Sequence, residues 1–192
     1  FDALVKSLTE EQRAAIAANE AGLKSALERV KTERGELKER LAAIEKAKAD
    51  GVPFDGIGIQ AHEPRTMRFP LDQVQRVLDT YAALGKDLHI TEFTPCSAGQ
   101  EITGSHLEGK WDEAAQADYA EKFYRVCFAH PAVAGITWWD LCDNGSWLKG
   151  GGMLRADLSP KPAYETLRKL IHERVDRAFD EYQSRWVDMK RK

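Results

Sequence analysis

The chain has 192 residues, 43% of them hydrophobic, with 28 Lys and Arg against 31 Asp and Glu and a formal net charge of −3 at pH 7. That balance supports a buried core and excludes both a basic nucleic-acid binder and an acidic disordered tail. No apolar run approaches the roughly 18 residues of a membrane span, so neither nucleic acid nor membrane is expected as a partner.

The composition from Phe1 to Asp50 is dominated by Ala, Glu, Lys, Leu and Arg. Thr9 followed by Gln12 fits a capping box, which predicts a helix start. Ile16, Leu23, Leu27, Val30, Leu37, Leu41 and Ile44 then recur at helical spacing. Charged Glu20, Arg34 and Lys48 interrupt a continuous coiled-coil seam. The segment reads as an amphipathic helix covering a core, or as a helical hairpin broken at Thr32 to Gly35; an oligomerisation arm is the competing reading. Phe1 stands where a Met would, without the basic-then-apolar order of a signal peptide, so sequence upstream of it is expected.

Gly51 to Gly56 forms a turn, and Phe54 to His62 predicts a strand that delivers Gln60 and His62. Pro70 and Gly85 bracket a helix with Leu71, Val74, Val77, Leu78, Tyr81 and Leu84 on one face. The run Leu88-His-Ile-Thr-Glu-Phe93 is the second strand, apolar until it stops at the carboxylate of Glu92. A long polar loop, Thr94 to Lys110, exceeds ordinary connection lengths and predicts a functional or mobile segment. A helix from about Asp112 to Ala129 should turn Ala115, Tyr119, Phe123 and Val126 inward. Val133 to Asp140 is the third strand and delivers Trp138, Trp139 and Asp140. The glycine-rich stretch from Asp143 has no phosphate-binding order. Pro160 and Pro162 introduce a last helix striped by Leu167, Leu170, Ile171, Phe179, Tyr182 and Trp186.

Alternating strands and helices predict an α/β fold with parallel strands and right-handed crossovers, whose chemistry sits at the carboxyl ends of the strands. Three strands thus feed one site. Only three are visible, whereas a closed eight-stranded barrel needs about 250 residues, so part of a barrel or a reduced sheet is implied. Cys96, Cys127 and Cys142 lack C-x-x-C spacing and are odd in number. Free thiols are expected, with no metal and no cofactor.

Glu92 is the candidate catalytic carboxylate, with His62 on the neighbouring strand end to orient it. Tryptophan suits sugar recognition because the C–H face of a sugar ring packs on a flat apolar surface. Singly, a strand-end glutamate is often a structural ion pair, a histidine merely hydrogen-bonded and a tryptophan part of the core. Their joint placement at adjacent strand ends favours a site.

Five ordered blocks, Asp55-Gly-Ile-Gly-Ile-Gln-Ala-His62, Ile90-Thr-Glu92, Gly135-Ile-Thr-Trp-Trp139, Asp143 to Ser146-Trp147 and Pro160-Lys-Pro-Ala-Tyr164, resemble strand six to helix eight of the family 10 glycoside hydrolases, chiefly endo-β-1,4-xylanases. The likeness covers Gly51 to about Glu173. It implies the C-terminal part of a TIM barrel and retaining hydrolysis of β-1,4-xylosidic bonds in xylan or xylo-oligosaccharides. It further implies Glu92 as nucleophile, His62 as its hydrogen-bonding histidine, Gln60 as the glutamine of the same strand, and Trp139 and Trp147 as cleft aromatics. A secreted or periplasmic location is likewise implied by the resemblance.

Three departures accompany it. The family's acid/base glutamate belongs to an Asn-Glu motif on strand four, and Asn19-Glu20, on an Ala-rich helical run, is no match. The acid/base is therefore expected outside this chain. Where the family has Leu-Asp after the nucleophile this chain has Phe93-Thr94, and where it has Gly after the cleft tryptophan this chain has Asp140. Two other readings stand beside the hydrolase: a non-catalytic carbohydrate binder, and a helical assembly protein with an inert barrel remnant. The partner is then the missing barrel half or a second copy.

Overall fold

The computed structural model describes residues 8–62, 65–104 and 108–190, with side-chain surroundings throughout that range except at 29, 33 and 178–190. The chain divides between Pro53 and Phe54 into two compact units.

Among the described residues, the first unit contains the helix α1 (Glu10–Ala49). Thr9 caps it: the threonine hydroxyl accepts from the Gln12 amide at 3.2 Å, and Gln12 Oε1 accepts from the Thr9 amide at 3.0 Å. Two otherwise orphaned donors are satisfied reciprocally, as the capping box requires. Glu10 and Glu11 in the first turn and Lys46 and Lys48 in the last complement the helix dipole. The helix runs unbroken through Thr32 to Gly35, so a single rod replaces the hairpin alternative. An interior glycine costs only about 1 kcal/mol relative to alanine, and the Glu28–Lys31 pair at 2.7 Å supports the same turn. Along the apolar stripe, Ile16, Leu23, Leu27 and Val30 are exposed, while Leu37, Leu41 and Ile44 are half-buried.

The second unit alternates β1 (Gly56–Gln60), α2 (Leu71–Ala82), β2 (Asp87–Phe93), α3 (Glu113–Ala129), β3 (Val133–Trp138) and α4 (Pro162–Lys190). The strands form a parallel sheet in the order β1-β2-β3. Each crossover contains one helix, the arrangement expected of βαβ units. Backbone bonds from Ala61 N to Glu92 O at 2.6 Å and from Trp139 N to Phe93 O at 3.0 Å carry the ladder past the ends of β1 and β3. His62, Trp139 and Asp140 therefore stand just beyond the strands rather than within them.

β2 is the centre of the core. Leu88, Ile90 and Phe93 are essentially inaccessible. They share this core with Val74, Leu78 and Tyr81 of α2 and the aromatic face of α3. Phe93 stacks on Phe123 with ring centroids 4.3 Å apart and takes the edge of Trp138 at 5.4 Å. Packing around Phe93 shifts the inward face of α3 from the expected one: Tyr119 and Phe123 are buried as anticipated, but Gln116, Ala120, Tyr124 and Cys127 join them while Ala115 and Val126 are only half-buried. On α4, Leu167 and Leu170 are buried, whereas Ile171 is exposed. The stripe is narrower there than its sequence suggested; the side chains of Phe179, Tyr182 and Trp186 lie outside the described residues. Burial pushes the Cys96 thiol up to about 11 and that of Cys127 up to about 12.

Candidate active site

Strict alternation along β2 would put Glu92 on the same side as Leu88 and Ile90, facing the helices. The register prevents this. Ile59 pairs with Ile90, yet the next residue, Gln60, pairs with Glu92; on the other side Ile90 pairs with Ile136 and Phe93 with Trp138. A bulge at the end of β2 absorbs the extra residue and reverses the facing of the residues beyond it. Phe93 enters the core in place of Glu92, and the glutamate turns to the neighbouring strand ends.

There both carboxylate oxygens are engaged. Gln60 Nε2 donates to Oε1 at 2.8 Å, and His62 Nε2 lies 3.2 Å from Oε2. The Glu92 side chain remains 19% exposed while that of His62 is 5% exposed, so the acid is reachable and its orienting imidazole is not. His62 Nδ1 is buried without a partner among the described residues. The carboxylate is thus oriented through contacts at both of its oxygens.

The aromatic residues separate into three roles. Trp147 packs on the His62 ring at 4.5 Å with the planes inclined by 39°, and the Arg65 guanidinium sits 4.6 Å from the same indole. Trp147 nonetheless stays 44% exposed, and Trp139, beside the end of β3, 49%. Trp138 points the other way, its edge on Phe93 and its Nε1 donating to Gly151 O at 2.8 Å. The structure thus joins Gln60, His62, Glu92 and Trp147 through direct contacts. Trp139 occupies the adjacent strand end without a ring contact to them among the described residues.

The loop from Leu141 to Gly152 carries Trp147, and a buried polar hub holds it. Lys161, 1% exposed, donates to Asp143 Oδ1 at 2.7 Å, Ser97 Oγ at 3.0 Å and Gly150 O at 3.1 Å. Gln116, fully buried, donates to Pro95 O at 2.7 Å and Gly150 O at 3.0 Å. Gly150 adopts φ +75°, and a Cβ there would lie 2.8 Å from the Ala98 amide nitrogen, so only glycine fits. Sequence reasoning missed Gln116 and Lys161 as supports. The available signals were a glutamine on the apolar face of α3 and a lysine placed between two prolines. The long segment after β2 is anchored too: Trp111, 1% exposed, donates from Nε1 to Thr66 O at 2.8 Å.

Parallel strand–helix repeats with a polar cluster at the carboxyl ends of the strands define part of an α/β barrel. Residues 28–170 match the sequence profile of the family described as glycosyl hydrolase family 10. Endo-1,4-beta-xylanase B of Thermotoga neapolitana is 30% identical over 140 residues, which are 69% of this chain and 38% of that protein. Native xylanase 10B from Thermotoga maritima superposes with a TM-score of 0.57 at 27% identity, covering 71% of this chain and 42% of that one. Xylanase 10B from Thermotoga petrophila RKU-1, solved with xylobiose, gives 0.56 at 28% identity, covering 70% and 41%. The chain belongs to glycosyl hydrolase family 10 and has the fold of part of its TIM barrel. It spans about two-fifths of the length of these relatives. The family match opens inside α1, ahead of Gly51 where the sequence motifs begin, because an amphipathic helix carries periodicity and no distinctive motif.

Proposed function

We propose that the chain is the strand-six to strand-eight part of a retaining hydrolase acting on β-1,4-xylosidic bonds in xylan or xylo-oligosaccharides, with Glu92 as nucleophile. The observation that carries this reading is the carboxylate of Glu92, held at both oxygens by Gln60 and His62 at strand ends that also carry the part-exposed indoles of Trp139 and Trp147. A carboxylate so fixed attacks the anomeric carbon as the glycosidic oxygen leaves, forming a glycosyl ester that water then hydrolyses. Trp139 and Trp147 offer apolar faces to the sugar rings. The second carboxyl, which protonates the departing oxygen and later activates water, comes from barrel strands outside these residues. Among the described residues β1 and β3 each leave one edge of the sheet unpaired, and those edges are where the remaining strands would join; in their absence a second copy is the competing partner.

An aryl β-xyloside with an activated phenolate leaving group departs without acid assistance, so it tests the nucleophile alone. The chain is expected to release phenolate and accumulate a covalent glycosyl adduct. Glu92→Gln is expected to abolish both while xylotriose binding persists, because an amide keeps the shape but forms no ester. Full turnover by the Gln variant would remove Glu92 from the role. The part-exposed indoles of Trp139 and Trp147, which bind sugar without needing an acid, carry a non-catalytic binder as the second reading; xylotriose binding with no phenolate release by the unaltered chain would select it.

A further inference from the structure

Two buried oxygens near the site have no partner among the described residues, and the side chains that carry them meet at one glycine. Thr94, directly after β2, is 2% exposed with Oγ1 unbonded, and Asp140, directly after Trp139, has Oδ2 shielded from solvent and unbonded. Gly151 lies between them: a Cβ on it would sit 2.5 Å from Thr94 Cγ2 and 3.1 Å from Asp140 Oδ2. The Gly151 amide already donates to Leu148 O at 2.7 Å, so it is not the donor that Asp140 lacks. A ligand in the cleft is not that donor either, since the oxygen is closed off from solvent. One staggered step about χ1 carries the threonine hydroxyl into the position the methyl now holds, and the methyl into that of the Cβ hydrogen, placing an O–H where Cγ2 now faces the glycine. A donor without an acceptor and an acceptor without a donor thus share one site, and buried polar groups are rarely left in that state.

The other oxygen of Asp140 reaches the site. Oδ1 accepts from the Trp147 backbone amide at 3.2 Å, and the Trp147 indole packs on His62. We propose that Thr94 and Asp140 form a latch in which the threonine hydroxyl donates to Asp140 Oδ2, directly or through one water, and so fixes the carboxylate whose Oδ1 holds Trp147 against His62. Both are positioning residues acting through Trp147. They tie the tryptophan loop to the strand that carries Glu92, two residues before Thr94 in the chain. The consequence for sugar binding rests on the reading of Trp147 as a cleft aromatic; the latch itself does not.

Amide hydrogen exchange at Trp147, followed by NMR on the full chain, reads the latch directly, and calorimetry with xylotriose reads its consequence. Thr94→Val, which removes only the hydroxyl, is expected to speed Trp147 exchange by about tenfold, the scale of one hydrogen bond. Thr94→Ser restores the original rate, and Asp140→Asn, which keeps an acceptor for the Trp147 amide, stays close to it. Asp140→Ala speeds exchange at least as much as Thr94→Val, and the double variant is no faster than Asp140→Ala alone, because the two side chains act as one unit. Xylotriose affinity falls in the same order. Unchanged exchange in Thr94→Val overturns the latch, and this pair of threonine variants decides the matter even if Asp140→Ala fails to fold. Additive effects of Thr94→Val and Asp140→Ala also overturn it, as does coupling of Thr94→Val to Gln116→Leu instead, since Gln116 Oε1 is another buried acceptor without a partner. If the unaltered chain binds no xylotriose, the sugar reading fails while hydrogen exchange still decides the latch.

Discussion

α1 and the sheet-helix unit are stabilised in opposite ways. α1 rests on interactions between residues three or four apart: its cap, its dipole-matched termini and exposed pairs such as Glu20–Lys24 at 2.7 Å. Exposed pairs of this kind contribute little individually, and a long helix propagates easily once its first turn has formed. The second unit rests on contacts between residues far apart in the chain. Phe93 meets Tyr119, Phe123, Tyr124 and Trp138, and Lys161 reaches back to Ser97. Local chemistry suffices to make a rod, whereas orienting a carboxylate takes strands brought together from separate parts of the sequence.

Phe93→Ala puts this contrast under the greatest strain. Removing the ring from the aromatic cluster should destabilise the second unit by about 3–5 kcal/mol, read as a lower melting temperature in the near-ultraviolet circular dichroism. A loss below about 1 kcal/mol, within the range of ordinary substitutions, would mean that the cluster is not the core of the unit.

Acid produces the next effect. The neighbouring Lys122, and after it Arg68, hold the Asp118 carboxyl below its ordinary value, against the opposing effect of burial. A carboxylate depressed in the folded state contributes stability that is present above the unfolded-state value of about 3.9 and is lost as pH falls through the lower folded value. The Arg68 side chain, 12% exposed and bonded to Asp118, then loses its carboxylate partner. Asp118→Asn should therefore melt earlier than the unaltered chain at pH 6, with the gap closing as pH falls below about 4. A gap independent of pH would show that the pair does not couple to folding. The exposed pairs of α1 should produce no comparable dependence.

The smallest expected effect is Thr9→Ala. Loss of the cap should cost about 1 kcal/mol, seen as faster hydrogen exchange in the first turn of α1 with the near-ultraviolet melting of the second unit unchanged. A matching drop in that melting temperature would erase the distinction between the two regions.

The capping box was legible from Thr9 and Gln12 because both partners lie within four residues of each other. The three strands were legible because β-branched runs ended at turn or polar residues, and Glu92 stood out as the charge that stops one of them. Its orientation was not legible. Alternation from Leu88 and Ile90 points Glu92 toward the helices, and only the bulge against β1 and β3 reverses it. Gln116 escaped notice because its polarity argues against burial, while in the fold Pro95 O and Gly150 O accept from it. Thr94, Asp140 and Gly151 are separated in sequence and share no motif spacing; they converge only when the tryptophan loop folds back over the end of β2.

Local periodicity and motifs read in order were enough for the alternation of strands and helices, the capped start of α1, the family likeness of the second unit and the choice of Gln60, His62, Glu92, Trp139 and Trp147 as a candidate set. Three matters were settled only by the assembled sheet and loops: Phe93 rather than Glu92 enters the core, Trp147 lies on His62 while Trp139 stands apart, and Lys161 and Gln116 brace the loop that carries Trp147. The facing of a strand residue depends on its partners' register, and the burial of a polar group depends on hydrogen-bond partners supplied by distant segments; neither is a property of the local chain.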